Sequence, residues 1–428
     1  MMSKKVGEGK FGILMGGGPA PGINGVIHSA TIEAINNGYE VIGIYDGFKH
    51  LMEGELVSTP LTINDVSRIH WDGGSIIHTS RANPTKSDEH LNNCVQTLMK
   101  AGISYLIAIG GDDTAYSAYR VSKYAKENMG VDIKTVHVPK TIDNDLPLPD
   151  EIRTFGFETA REIGTKLAKN IMEDARTGQR WFLVVTMGRR AGHLALGIGK
   201  SAGATLTLIP EEWEGREILL QEVVDILVTS MLKRYAENRP YGVAMVAEGV
   251  IEQMDLETLA NLTEVERDSH GHIRLSEINF SDTLKRALRK DLKSLGLDAR
   301  VVNKDLGYEL RCADPIAFDI DYTRSLGEAA VEFLLKGGSH ATITIQHDDI
   351  VPIPFDQMMD PVTGRTEVRT VKLNSFTYRS ALKFMIRLKP QDAEDEMLLA
   401  RMASFTNITV EEFKKRYGYL IGIAPRPF

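Results

Sequence analysis

Residues 110–113, Gly-Gly-Asp-Asp, have a composition that suits a magnesium and phosphate site. They follow an apolar run, and the two adjacent carboxylates stand beside glycines that leave room for a ligand. Mg²⁺ prefers oxygen ligands, and a carboxylate-bound magnesium ion can bridge phosphate oxygens. The same four residues also make a good turn and helix N-cap, so alone they are weak evidence of function.

A second acidic stretch, residues 139–145, adds a cation and a hydroxyl to the carboxylates. It reads Pro-Lys-Thr-Ile-Asp-Asn-Asp, which places Lys140, Thr141, Asp143 and Asp145 within six residues. Such a set can neutralise phosphate charge, anchor a substrate and accept the proton of an alcohol. The structural alternative is a loop in which Asp and Asn side chains cap their own backbone.

A glycine-rich stretch, residues 16–22, precedes both acidic stretches and reads Gly-Gly-Gly-Pro-Ala-Pro-Gly. Glycines between a strand and a helix let backbone N–H groups approach a phosphate, and the helix N-terminus favours the negative charge. The stretch matches neither the Walker pattern nor the dinucleotide-binding fingerprint. A tight turn without a ligand is the structural alternative.

Short apolar runs, separated by segments of helical periodicity, must position these three loops. The runs are apolar on both faces, which is typical of parallel strands covered by helices in an α/β fold. Ligands bind at the carboxyl ends of such strands, where the three loops begin. The predicted strands are Gly12–Met15, Val41–Tyr45, Tyr105–Ile109, Thr135–Val138, Trp181–Val185, Ala204–Ile209 and Gly242–Val246. The predicted helices are Ile23–Asn37, Glu158–Asp174, Arg216–Tyr235, Ser281–Leu295 and Arg324–Leu335.

The composition is that of a globular protein with more than one core. A chain of 428 residues that is 43% hydrophobic and 25% charged predicts two domains. The formal net charge of -8 argues against a nucleic-acid binder, which needs a basic surface. The two cysteines, the absence of an apolar leader and the absence of 18 consecutive apolar residues predict a cytoplasmic protein without a membrane span.

Taken in order, the three loops and the motifs around them resemble the phosphofructokinase family. The further matching motifs are Gly73-Gly74-Ser75 with Arg81, Met187-Gly188-Arg189 with Gly192, Ile209-Pro210-Glu211, Ala247-Glu248-Gly249 and Leu306-Gly307-Tyr308-Glu309-Leu310-Arg311. They span roughly residues 11 to 330, about three quarters of the chain. The resemblance implies an α/β fold of two Rossmann-like parallel-sheet domains, with the active site in the cleft between them.

The resemblance also implies a domain organisation. Residues 1–150 are expected to form a pyrophosphate and magnesium domain, completed by about 321–380, and residues 151–320 a fructose 6-phosphate domain. Residues 381–428 are expected to be a helical C-terminal extension. Arg180 is similar to an arginine that reaches a neighbouring subunit's site, which implies a homo-oligomer of at least two chains.

Two positions indicate the phosphoryl donor, because the ATP-dependent members of the family carry glycine where this chain has Asp113 and Lys140. A carboxylate at Asp113 would repel the α-phosphate of ATP, whereas pyrophosphate has no third phosphate to repel. Lys140 can offset the charge on the transferred phosphoryl group and on the phosphate that leaves. The chain therefore resembles the pyrophosphate-dependent branch, which phosphorylates the 1-hydroxyl of fructose 6-phosphate reversibly.

The resemblance assigns roles residue by residue. Asp143 is the expected base, with Lys140, Asp113 and Arg189 as further catalytic residues, and Asp112 is the expected Mg²⁺ ligand. The expected donor-binding residues are Gly17, Gly18, Gly111, Asp113, Lys140 and Arg81. The expected fructose 6-phosphate residues are Thr141, Ile142, Asp143, Arg180, Met187, Gly188, Arg189, Glu248, Tyr308, Arg311 and Arg324.

Three alternatives remain open from the sequence. An ATP-dependent phosphofructokinase would need the paired carboxylates only as a stronger magnesium site. A non-catalytic regulatory subunit would be expected to have lost Asp112, Asp143 or Arg189, all of which are present. Lipid and NAD kinases carry similar Gly-Gly-Asp loops but do not account for residues 187–189 or 306–311. His270 and His272 lie in a polar stretch with no ligand-spaced partners, which argues against a metal site there.

Overall fold

The computed structural model describes residues 9–188, 190–254, 280–359 and 366–424. Contacts within the chain divide it into two compact units, which we call unit 1 (Met1–Ala160 and Tyr308–Arg369) and unit 2 (Arg161–Gly307 and Thr370–Phe428). The predicted boundaries near 150, 320 and 380 therefore differ from the contact boundaries. Among the described residues, every helix is too short or too polar to cross a membrane. The predicted surface stretch 252–274, with its two histidines, lies almost wholly outside the described residues.

Unit 1 is built on a seven-stranded sheet with the order β11-β10-β5-β4-β1-β2-β3. The five inner strands are parallel, and the two edge strands, β3 and β11, are antiparallel to their neighbours. Its strands are β1 Lys10–Met15, β2 Glu40–Ile44, β3 Ser58–Leu61, β4 Ile103–Gly110, β5 Lys134–Pro139, β10 Ala341–Gln346 and β11 Asp349–Pro354. The predicted α/β fold with parallel sheets is confirmed.

Helices cover both faces of this sheet. Side chains alternate across β1, so that Ile13 packs in one hydrophobic cluster with the helices α1 and α12, while Leu14 packs in another with α4 and α5. The helices of unit 1 are α1 Ile23–Asn36, α2 Lys49–Met52, α3 Ile63–Val66, α4 Asp88–Lys100, α5 Asp112–Met129, α11 Tyr308–Arg311 and α12 Ala317–Leu335. Burial of both faces explains the continuous apolar runs that predicted these strands.

Unit 2 contains a four-stranded, fully parallel sheet with the order β7-β8-β6-β9. Its strands are β6 Trp181–Thr186, β7 Leu206–Leu208, β8 Gly242–Ala247 and β9 Val301–Leu306. Its helices are α6 Phe157–Gly178, which begins in unit 1, α7 His193–Ala202, α8 Leu220–Ala236, α9 Glu248–Glu252, α10 Phe280–Ser294, α13 Phe376–Phe384, α14 Glu396–Ala403 and α15 Val410–Tyr417. Short 3₁₀ helices occupy Ile69–Trp71, Pro84–Lys86, Pro210–Trp213, Phe355–Met358, Pro390–Glu394 and Gly418–Ile421.

The C-terminal helices belong to the core of unit 2. Leu399, Phe413 and Tyr417 are almost fully buried in the same hydrophobic cluster as Leu227 and Val246. Residues 370–380, which the sequence placed with the first domain, also lie in unit 2. The final segment is therefore part of the packed interior of unit 2, and its removal would expose that core.

Two helix starts differ from the sequence expectation. α8 begins at Leu220 and not at Arg216, because Ile218 forms a β-bridge with Met254 and Leu219 has an extended backbone. α12 begins at Ala317, seven residues before the expected Arg324. Its first turns were missed because they bury a carboxylate, Asp319, on the face where an apolar residue is expected.

The buried Asp319 joins α12 to the start of α6. Its side chain is 0% exposed and accepts hydrogen bonds from the backbone N–H groups of Gly156 and Thr159, both at 2.8 Å, and from the Thr159 hydroxyl. Burial raises the pKa of Asp319, because water no longer solvates the charge. The three donors would be left without an acceptor if the carboxylate were removed.

Replacing Asp319 with alanine is expected to destabilise the protein by about 3 kcal/mol, since buried donors lose their acceptor. The thermal unfolding midpoint, followed by circular dichroism, should fall by several degrees. Asp321→Ala provides the control, because Asp321 is exposed on the same helix two residues further on. Equal midpoints for the two variants would contradict the structural role of Asp319.

Candidate active site

Three loops of unit 1 meet at one edge of its sheet. Residues 16–18 follow β1, residues 111–113 follow β4 and residues 140–145 follow β5, and these three strands are adjacent and parallel. The carboxyl ends of adjacent parallel strands lie at the same edge, so the three stretches singled out in the sequence are neighbours. The chain order reverses between β1 and β4, which is the position where open α/β sheets bind ligands.

The glycine loop, residues 16–18, directly follows β1. Gly17 has a φ of 83°, and its N–H donates to the carbonyl oxygen of Ser80 at 2.8 Å. A Cβ atom on Gly18 would lie 1.7 Å from Nη2 of Arg311, so a side chain at this position would displace the guanidinium. Arg81, which follows Ser80, is exposed. The glycine loop therefore places its backbone next to the guanidinium of Arg311 at the edge of the sheet.

The carboxylate loop after β4 begins a helix. Gly111 is the N-cap of α5, and both Asp112 and Asp113 lie in the first turn of that helix. Asp112 accepts a hydrogen bond from the N–H of Asp113 at 2.8 Å through its own Oδ1 atom, while Asp113 is exposed. The N-terminal end of a helix stabilises these negative charges.

A further carboxylate, that of Asp145, lies near Asp112. Burial and, secondarily, the negative charge of Asp112 raise the pKa of Asp145. A divalent cation bound between the two carboxylates would relieve their repulsion. Their oxygen atoms therefore suit Mg²⁺ as ligands. Asp145, to which the sequence analysis gave no role, is a further candidate ligand beside Asp112.

Lys140 is the buried cation of the site. Its side chain is 5% exposed, and its ammonium group donates to the carbonyl oxygen of Gly18. Burial, and then the positive charge of Arg311, lower the pKa of Lys140 to about 8. The two cations therefore lie against the glycine loop, and an anion bound there would relieve their repulsion.

Asp143 lies in a loop whose backbone is tightly bonded. Its N–H donates to Oγ1 of Thr141 at 3.0 Å, and the carbonyl oxygen of Thr141 accepts from the Thr154 hydroxyl at 2.7 Å. Asn144 follows with a φ of 54° and accepts from the Thr154 N–H through its side chain at 3.1 Å. Ile142 is buried beneath the loop. The carboxyl group of Asp143 thus projects from a fixed backbone.

The remaining predicted residues of unit 1 lie on α11 and α12. Arg311 places its guanidinium 5.8 Å from the centre of the Tyr308 ring, and Tyr308 is 80% exposed. Arg324 is exposed on α12. Arg311, which the resemblance assigned to the sugar pocket, therefore also lies against Gly18 of the glycine loop.

In unit 2 the predicted residues follow a second pair of adjacent parallel strands. Met187 and Gly188 follow β6, and Glu248 follows β8. Gly188 has a φ of 129°, and its carbonyl oxygen accepts from the N–H of Gly249 at 3.1 Å, which ties the two strand ends together. Arg180 pairs with Asp174 of its own chain at 2.7 Å. Arg189 lies outside the described residues.

Sequence reasoning missed one arginine that contacts this region. Arg369 donates to the backbone and side chain of Asn144, within the loop that carries Asp143. It lies 225 residues away in the sequence, and no local spacing or motif connects the two positions.

Comparisons with known proteins show the family of this chain. The family model described as Phosphofructokinase matches residues 10–334. The chain is 54% identical to "Pyrophosphate--fructose 6-phosphate 1-phosphotransferase" of Thermotoga maritima, over 95% of this chain and 98% of that protein. It is 48% identical to the protein of the same name from Naegleria fowleri, over 96% of this chain and 95% of that protein.

A solved structure extends the agreement to the fold. The pyrophosphate-dependent phosphofructokinase from Marinobacter aquaeolei has a TM-score of 0.67 and 19% identity, covering 94% of this chain and 92% of that one. At this identity the likeness concerns the fold alone. From the family match over most of its length and its similarity to these relatives, the chain belongs to the phosphofructokinase family.

Proposed function

We propose that this protein is a pyrophosphate-dependent phosphofructokinase. It transfers a phosphoryl group from pyrophosphate to the 1-hydroxyl of fructose 6-phosphate, giving fructose 1,6-bisphosphate and phosphate, and the reaction is reversible. The observation that carries the proposal is the buried Lys140, whose ammonium group contacts Gly18 beside Arg311. A cation fixed there, with the exposed carboxylate of Asp113 on the loop of the adjacent strand, favours a short, highly charged donor.

The chemistry begins at Asp143. Its carboxylate accepts the proton of the 1-hydroxyl, and the oxygen then forms a bond to the terminal phosphorus of pyrophosphate. The bond from that phosphorus to the bridging oxygen breaks, and inorganic phosphate leaves with the bond's electrons. The fixed backbone on both sides of Asp143 holds the base in place, so orientation costs little when the substrate binds.

Lys140 and Arg311 stabilise the charge that develops during transfer. The bridging oxygen becomes negative as phosphate leaves, and an ammonium group already desolvated in the protein meets it without reorganisation of water. The guanidinium of Arg311 offers several N–H donors to phosphate oxygens. Asp112, with Asp145, would hold Mg²⁺, which neutralises negative charge on the donor when bound.

The donor choice is assigned to Asp113 as well as Lys140. Asp113 lies one residue beyond the proposed metal ligand, where the α-phosphate of a nucleotide would meet its negative charge. Gly17, Gly18, Gly111 and Arg81 are assigned to the donor. An ATP-dependent phosphofructokinase is the second candidate, and a regulatory subunit is disfavoured because Asp112, Asp143 and Arg189 are all present in the sequence.

The sugar phosphate is assigned, from the family resemblance, to residues of both units. Thr141 and Ile142 flank the sugar, and the other assigned residues are Arg180, Met187, Gly188, Arg189, Glu248, Tyr308, Arg311 and Arg324. A homo-oligomer, in which Arg180 of one chain serves its neighbour, and a cytoplasmic location are part of the same proposal. Neither nucleic acid nor a membrane is among the proposed partners.

A donor assay tests the function directly. Purified protein with fructose 6-phosphate and Mg²⁺ should turn over pyrophosphate far faster than ATP, measured by coupling fructose 1,6-bisphosphate to NADH oxidation. The reverse assay should form pyrophosphate from fructose 1,6-bisphosphate and phosphate. ATP turnover equal to or faster than pyrophosphate turnover would contradict the donor assignment, and no turnover with either donor would contradict the reaction.

A further inference from the structure

Arg369 binds the segment that follows the proposed base. Its guanidinium donates to the carbonyl oxygens of Asn144 at 3.1 Å and Ile152 at 2.7 Å, and to the side-chain oxygen of Asn144. It also contacts the carbonyl oxygens of Leu148 at 3.2 Å and Pro149 at 3.0 Å. One side chain thus gathers acceptors from both ends of residues 144–152.

The backbone of Arg369 contributes a further contact. Its N–H donates to the carbonyl oxygen of Asp145 at 2.8 Å. Both carbonyl groups that follow Asp143, those of Asn144 and Asp145, are therefore bound to Arg369. The side chain that accepts the proton in the proposed reaction is attached to the residue just before them.

The contacts extend to the other side of Asp143 through Thr154. The Asn144 side-chain oxygen that Arg369 contacts also accepts from the Thr154 N–H at 3.1 Å, and the Thr154 hydroxyl donates to Thr141 at 2.7 Å. Asn144 is buried and has a φ of 54°, a left-handed conformation that asparagine adopts more readily than most non-glycine residues. These bonds fix its side chain in that conformation.

The contacts suit arginine and not lysine. Several acceptors spread over nine residues can be reached by a planar guanidinium with five N–H donors, whereas an ammonium group is a single point with three. Burial, and then the positive charge of Arg153, lower the pKa of Arg369 to about 10, so the group stays charged near neutral pH. Asp145 and Asp150 are the acidic groups whose charge acts on it.

We propose that Arg369 is a positioning residue for the base Asp143, acting through Asn144 and the carbonyl groups that follow it. The proposal rests on the proposed role of Asp143 in phosphoryl transfer. It does not depend on which donor is used, because the contacts of Arg369 described above are made with the loop that carries the base.

The test compares Arg369→Lys and Arg369→Ala with the wild-type protein, using whichever donor the wild type turns over. A displaced base should lower kcat by about 10- to 100-fold, while KM for fructose 6-phosphate and for the donor stays within about threefold. Arg153→Lys is the matched control, since the Arg153 side chain donates to the same segment at the carbonyl oxygen of Asp150, and the variant should retain wild-type kcat.

Chemical rescue separates positioning from general support of the fold. Guanidinium at non-denaturing millimolar concentrations should restore kcat of Arg369→Ala by about tenfold, and should leave wild type and Arg153→Lys unchanged. A kcat for Arg369→Lys within threefold of wild type would overturn the proposal. So would a loss confined to KM, or a kcat loss in Arg369→Ala that guanidinium does not restore.

A coupling measurement adds an independent test. Asn144→Gly keeps a residue that tolerates the left-handed backbone but removes the side-chain oxygen that Arg369 and Thr154 share. If Arg369 acts through Asn144, the double variant Asn144→Gly/Arg369→Lys should lose less kcat than the product of the fold-losses of the two single variants. Independent, multiplicative losses would contradict action through Asn144. A wild type that uses only ATP would refute the donor assignment and leave these comparisons intact.

Discussion

Replacing Asp143 with serine is expected to lower kcat by at least about 10²-fold, the loss typical of removing a general base. The serine cannot take the proton of the 1-hydroxyl, so the attacking oxygen remains a poor nucleophile. The backbone bonds of Asp143 and Thr141 do not involve the lost carboxylate, so the loop should keep its shape. Steady-state kinetics in both directions, at saturating donor, measure the effect.

Binding must be measured in the same variant to locate the loss. Fructose 6-phosphate should bind Asp143→Ser with an affinity close to that of wild type, as shown by isothermal titration calorimetry. Asp132→Ser, an exposed carboxylate just before β5, should leave kcat unchanged. Turnover by Asp143→Ser within a few-fold of wild type would mean that another group accepts the proton.

Replacing Lys140 with glycine is expected to weaken pyrophosphate catalysis by about 2.7 kcal/mol or more, roughly 100-fold, as for loss of one transition-state charge contact. The loss should appear in kcat with pyrophosphate, because the leaving phosphate is no longer stabilised. Residual ATP turnover, where measurable, should change much less, since glycine is the residue of ATP-dependent members. Equal losses with both donors would indicate a general structural role for Lys140.

The pH profile provides a second readout for Lys140. Burial lowers its pKa to about 8, so the free enzyme loses this positive charge as the pH rises through that value. The kcat/KM for pyrophosphate, which reports the free enzyme, should therefore decline above about pH 8. In Lys140→Arg the decline should disappear, because a guanidinium group stays charged. An unchanged alkaline limb in that variant would show that another group titrates.

The strand ends at which the three loops of unit 1 lie could be predicted because the sequence pattern that marks them is local. Each of the three loops directly follows an apolar strand, and strands buried on both faces are readable as unbroken apolar runs. Once those strands are parallel and adjacent, residues such as Gly18, Asp112 and Lys140 must meet at their carboxyl ends. The motifs and the strand pattern therefore indicate the same edge of the sheet.

The long-range interactions could not be predicted in the same way. Arg369 and Asp319 are ordinary charged residues in the sequence, and neither stands in a motif or at a ligand spacing. Their roles depend on partners 160 to 225 residues away, which only the folded chain brings together. For the same reason the start of α12 was misjudged, since a buried carboxylate interrupts the apolar pattern that marks a helix face.

Residues 161–307 of unit 2 separate the two parts of unit 1 in the sequence, and this affects folding during synthesis on the ribosome. β5 pairs on one side with β4, but its other partner, β10, is made only after the whole of residues 161–307 has been translated. Until then the nascent chain carries an open strand edge beside the loop of Lys140 and Asp143, and open edges invite pairing with other chains. Chaperone protection during translation, or slow translation after β5, would therefore bear directly on the yield of native enzyme.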